Sequence, residues 1–190
     1  RRCTVPRAGL TPDRVVSAAS DLADEQGYSR LTLAALAERL GVRQPSLYKH
    51  IDSLDSLQRG ISVQAKRELG EVLGRAAVGQ SGPDAVRAIA DAYRRWVLEH
   101  PGRYAATVRA PSPDDEEDLR ASEEVVAILL DVLAGFGLRG NAAIDAARTL
   151  RSALHGYVSL EASGGFGMPR NVDRSYRFLI DTVVAGLSVR

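Results

Sequence analysis

One stretch constrains this chain more than any other: "TLAALAERLGVRQPSLYKHI", Thr32 to Ile51. Thr32 carries a hydroxyl suited to a helix start, and Leu33, Leu36, Ala37 and Leu40 follow on one face of a 3.6-residue repeat. Gly41 can take the left-handed conformation that ends a helix, and Pro45 fits the first turn of the next. The spacing predicts that this next helix runs from about Gln44 to His50, with Leu47 and Ile51 one turn apart and facing inward. Two short helices joined by Gly41-Val42-Arg43 have the layout of a helix-turn-helix, whose second helix lies in the major groove of DNA.

If Leu47 and Ile51 face a core, the polar residues between them are left outside. Gln44, Ser46, Tyr48 and Lys49 then offer donors, acceptors and a cation to bases and phosphates, flanked by Arg43 and Pro45. Tyr48 and Lys49 are read as phosphate contacts, and Gln44 as a reader of an adenine edge. Arg43 suits a guanine or a phosphate equally. Thr32 can cap its helix, donate to a phosphate, or do both. His50 is read as a packing and hydrogen-bonding residue. The N-terminal Arg1, Arg2 and Arg7 suit either a minor-groove arm or a frayed basic tail.

The remainder also reads as helix. Thr11-Pro12-Asp13 opens a first helix that Gly27 ends, and Ser53 caps a long one running to about Ala77. Helices follow at about 83–99, 101–109, 113–136, 140–163 and 172–188, separated by Pro- and Gly-bearing breaks. No period-2 strand pattern interrupts them. The fold class is therefore all-α, with a three-helix DNA-binding domain over 1–52 and a six-helix ligand-binding and dimerisation domain over 53–190. The helices at 140–163 and 172–188 are apolar around much of their circumference, which calls for a partner surface.

Composition narrows the function. No apolar run approaches the roughly 20 residues that span a bilayer, so no membrane partner is expected. Cys3 is the single cysteine, which leaves no internal disulfide and fits a reducing cytoplasm. The chain opens without an initiator Met, so N-terminal residues are expected to be missing, and no signal-peptide pattern is present. Residues 1–50 hold eight Lys or Arg against five acids, a surplus of three, whereas 114–124 is acidic. The run Asp114 to Asp118 is read as favourable charge at a helix start rather than as a metal cluster. "GGFG" at 164–167 lacks the strand that a nucleotide loop needs, and no HExxH, GxSxG or Cys–His pair occurs, so neither an enzyme nor a cofactor is expected.

The residues Thr32, Ala37, Gly41-Val42, Leu47-Tyr48-Lys49-His50 and Ser53 resemble the tetracycline-repressor (TetR) family of bacterial transcription regulators. Trp96 and "LHGYVSLEASGGFGMP" at 154–169 are similar to a TetR-type C-terminal class named for Trp, His and Gly. Two positions depart from the family pattern. Arg43 stands where many relatives carry Ser or Thr, and Ser53-Leu54 replaces a common Ser-Lys. The resemblance implies a homodimer through the last two helices, a palindromic double-stranded operator, and a small-molecule effector that releases it. Tyr93, Trp96, His100, Tyr104, His155 and Phe166 are the candidate ligand contacts, since polar-tipped aromatics serve pockets as well as cores. With His100, His155 and Glu161 as the ionisable groups in view, a largely apolar effector is expected. A ligand-independent DNA-binding protein and an all-helical enzyme or carrier are the competing classes.

Overall fold

Thr11 starts the chain's first helix by accepting the Arg14 amide on its hydroxyl at 3.3 Å, with Pro12 pre-set for the first turn. The computed structural model describes residues 9–188, so Arg1, Arg2, Cys3 and Arg7 lie outside the described residues. Helix α1 (Pro12–Gln26) is followed by a 3-10 turn at Tyr28–Arg30, then by α2 (Leu33–Leu40) and α3 (Gln44–Leu47). The long α4 (Leu54–Ala77) leads to α5 (Gly82–Glu99), α6 (Pro101–Thr107), α7 (Glu116–Ala134), α8 (Gly140–Ala162) and α9 (Val172–Ser188). Among the described residues there is no strand.

Helices α6 and α7 end two residues earlier than the sequence expectation, at Thr107 and Ala134, and two other boundaries differ for local reasons. Helix α3 stops at Leu47 and not His50, because the His50 amide bonds the Leu47 carbonyl three residues back and the chain tightens into a turn. Ser53 must then be extended, since its hydroxyl and that of Ser56 cap each other's amides at the start of α4. Helix α7 begins at Glu116 and not 113, because Asp115 is its cap and accepts the Asp118 amide at 3.1 Å.

Two cores result. The first joins Val15, Leu22, Leu36, Leu47 and Ile51 to Leu57 and Ile61 of α4 and Ala106 of α6. The second, larger core is built from α4, α5 and α7 to α9 around Leu69, Trp96, Leu133, Leu150 and Tyr176. Helices α4 and α6 therefore reach both sides: Ile61 is sealed in the first core while Leu69 and Leu73 belong to the second. The acidic run stitches α7 to α4, with Asp115 and Glu117 on Arg59 and Asp118 on Lys66.

A candidate nucleic-acid interface and a ligand cavity

The α2–α3 turn is set by backbone chemistry. Gly41 sits at φ 65°, and the amides of Gly41 and Val42 bond the carbonyls of Glu38 and Ala37 at 3.0 Å each. This reciprocal pair closes α2 and turns the chain, a conformation in which a side chain at Gly41 would be strained. Arg43 follows without a side-chain capping bond, and Pro45 lies in the first turn of α3. Leu47 is fully buried and Ile51 nearly so, which turns the other face outward. Arg43, Gln44, Pro45, Tyr48 and Lys49 are exposed, and Ser46 is half-buried. Thr32, also exposed, spends one acceptor site on the Ala35 amide at 3.2 Å and keeps its hydroxyl proton available. His50 is half-buried beside Ile51. Six of the seven candidate contact residues are thus exposed, at the start of α2 and in and beside α3.

On the other side of the molecule α4, α5, α6, α7 and α8 enclose a cavity of about 300 Å³. Leu69, Leu73, Ile89, Val125, Leu129 and Leu154 make its walls mostly apolar. Tyr93 and Tyr104 line it; Trp96, His100, His155 and Phe166 do not. Trp96 is a buried core residue whose ring lies 5.5 Å from that of His100, one turn further along α5. Phe166 packs on Tyr157 at 4.7 Å between ring centres. His155 stands behind the cavity wall: the Tyr93 and Tyr104 hydroxyls share a hydrogen bond, and the Tyr104 hydroxyl also meets His155 Nδ1. Burial pushes both phenols up in pKa, so they stay protonated donors; for Tyr104 the Tyr93 hydrogen bond and the Arg151 charge pull weakly the other way. Glu161 does not line the cavity and is held in a bidentate pair with Arg94.

The sequence reading did not single out the cavity's cations. Lys66, Arg109 and Arg151 line it, together with Thr107 and Ser122. Two signals for them were present. Lys66 falls on the same helical face as Leu69 and Leu73, an odd place for one of only two lysines, and Arg151 precedes His155 by one helical turn. Among the described residues, no group of three His, Cys, Asp or Glu side chains is placed to hold a metal ion.

Helix α6 connects cavity and DNA-binding core. Its first turn is capped from α1: Asp24 Oδ1 accepts the Arg103 amide at 2.8 Å, and Oδ2 meets His100 Nδ1 at 3.2 Å. The Arg103 guanidinium reaches Asp21 of α1 as well. Gly102 lets the two backbones touch, since a Cβ there would fall 2.1 Å from the Ala23 carbonyl carbon and oxygen. At its other end the helix presents Tyr104 and Thr107 to the cavity, and Val108 and Arg109 follow it there.

A helix-turn-helix with an exposed polar face, followed by an all-helical part that holds an apolar cavity, is the architecture of a DNA-binding regulator. Residues 15–57 match the family model described as bacterial regulatory proteins, tetR family, and residues 86–183 match that of the tetracyclin repressor-like C-terminal domain. The chain is 40% identical over 158 residues to an HTH-type transcriptional regulator of Mycobacterium tuberculosis, covering 83% of this chain and 72% of that one. It is 32% identical over 185 residues to the HTH-type transcriptional regulator YobS of Bacillus subtilis, covering 97% and 96%. The fold is similar to the crystal structure of BioQ with its double-stranded DNA operator, with a TM-score of 0.69 and 22% identity over 96% of this chain and all of that one. The chain belongs to the TetR family of transcriptional regulators, and is not an enzyme. Among its described residues no helix is long and apolar enough to cross a membrane.

Proposed function

We infer that this regulator is a cytoplasmic homodimeric repressor that holds a palindromic operator and releases it when a small molecule fills the cavity. The observation that carries this reading is the double anchorage of α4 and α6: α4 runs from the helix-turn-helix core to the cavity wall, and α6 is capped by Asp24 of α1 at its first turn while Tyr104 and Thr107 line the cavity. A ligand that fits the cavity in only one setting of these helices shifts the population toward that setting, by its differential affinity and no more. The spacing of two recognition helices across a dimer then ceases to match successive major grooves. Thr32, Arg43, Gln44, Pro45, Ser46, Tyr48 and Lys49 form the DNA contact in this reading. Tyr93 and Tyr104 are kept as ligand contacts, Trp96, His100 and His155 become supports behind them, and Phe166, packed on Tyr157, is set aside.

Selection of binders from a random pool of double-stranded DNA tests the reading: an inverted repeat is expected, and a lack of any preferred sequence counts against it. Lys49→Ala is expected to weaken selected and unselected DNA alike, and to flatten the slope of log K against log salt by about one. A change in the preferred base would reassign Lys49 to base readout.

The dimer rests on Ile144 and Leu160 of α8 and Phe178 of α9, large apolar side chains left exposed, Phe178 at 75%. Isologous pairing of these two helices covers them and sets two recognition helices on one face. Phe178→Asp is expected to yield monomers by light scattering at micromolar protein, together with weaker operator binding; an unchanged dimer would move the interface elsewhere.

A further inference from the structure

The charge in the cavity is one-sided. Its lining holds three cations, Lys66, Arg109 and Arg151, and no Asp or Glu. Lys66 is already neutralised, because its Nζ lies 2.7 Å from Asp118 Oδ1 and both side chains are buried. Arg109 and Arg151 differ. Neither has a carboxylate within ion-pair distance among the described residues, whereas Arg59, Arg94 and Arg103 each meet at least two. Arg109 follows α6 and Arg151 projects from α8, both exposed at the edge of apolar walls. Arg151 lies close enough to Tyr93 and Tyr104 for its charge to act on both phenols. A neutral apolar ligand filling this space would cover the cavity-facing side of two guanidiniums and return no acceptor, which gains nothing from them. A cation would add repulsion. An anionic head offsets the loss with charge-assisted hydrogen bonds, to which the planar guanidinium is suited.

We propose that the effector is an amphipathic anion, its apolar body among Leu69, Leu73, Leu129 and Leu154 and its carboxylate or phosphate head on Arg109 and Arg151. This deepens the proposed function and rests on it for the cavity being the effector site. It also narrows the largely apolar effector expected from the sequence to one with a charged head, because the cations that decide the matter are brought together only by the fold.

Calorimetric titration of the full chain, free of DNA, with octanoate, octyl phosphate, octanol and octylammonium tests it, since these probes share one tail. At least one anion is expected to bind about tenfold or more tighter than octanol, with octylammonium weakest, and the tighter anion identifies the head group. In the Arg109→Gln/Arg151→Gln double variant the advantage of anion over alcohol is expected to fall below about threefold, and Lys at both positions to restore most of it. Equal binding of octanol, a preference for octylammonium, an anion advantage that survives the double Gln variant, or no binding by any probe overturns the proposal. Because DNA is absent, such a result leaves the repressor reading intact. Conversely, an anion that binds the wild-type chain but fails to release selected operator counts against ligand release and not against the anion preference.

Discussion

Replacing Asp118 with Ala is expected to destabilise the protein by about 3–5 kcal/mol, the usual effect of stranding one member of a buried ion pair. Lys66 and Asp118 are 5% and 7% exposed, and the Ser62 hydroxyl donates to the same carboxylate oxygen at 3.3 Å. Without the carboxylate, Lys66 would hold an ammonium against Leu69 with no acceptor, on a helix that cannot move aside because Ile61 anchors it in the other core. The double variant Lys66→Met/Asp118→Leu, which removes both charges at similar volume, is expected to recover to within about 1 kcal/mol of the parent. Urea denaturation with both variants decides it. A loss under about 1 kcal/mol for Asp118→Ala would mean that water reaches the pair and that its burial contributes little.

Leu47→Ala is the second substitution expected to have a large effect. Helix α3 is four residues long and its start has no side-chain cap, so little beyond Leu47 and Ile51 fixes the position of Gln44, Tyr48 and Lys49. Removing a fully buried Leu from so small a core is expected to cost about 2–5 kcal/mol. Affinity for selected DNA should fall by about a hundredfold or more, because the exposed residues lose their fixed geometry. Anion binding in the distant cavity should be retained, provided thermal melting places the measurement below the transition. DNA affinity within about threefold of the parent would indicate that α3 is not the element that enters the groove.

What was legible in the sequence is local. Thr32, Gly41 and Pro45 announce the α2–α3 turn because capping and left-handed backbone are properties of single residues, and the i, i+4 pair Leu47 and Ile51 announces the buried face. The extra turn expected of α3 failed because the His50 amide bonds back to the Leu47 carbonyl and tightens the chain ahead of the Ser53 cap. The cavity was half legible. Tyr93 and Tyr104 were found as aromatics with polar tips, but so were Trp96 and His100, which pack on each other instead. Whether such a residue lines a cavity depends on partners far along the chain, and periodicity carries no information about those. Lys66 meets Asp118 across 52 positions and Arg94 meets Glu161 across 67. The acidic run was correctly read as helix-start charge at Asp115, but its second duty of tying α7 to Arg59 and Lys66 required the fold.

The Asp24 carboxylate that caps α6 belongs to α1, and this bears on how such regulators can be recombined. A helix of seven residues is too short to persist alone in water, so α6 depends on the amide bond and backbone contact that α1 provides. A chimera grafting a foreign 1–52 segment onto this chain would cut through that joint, leaving the Arg103 amide without its acceptor and Gly102 facing an unmatched groove. The transferable module is therefore discontinuous: the helix-turn-helix, the first two turns of α4, and residues 100–107 travel together. Grafts that carry all three pieces should keep sensing and DNA binding in register. Those that respect only the linear boundary should yield proteins that still bind their small molecule and no longer convey it.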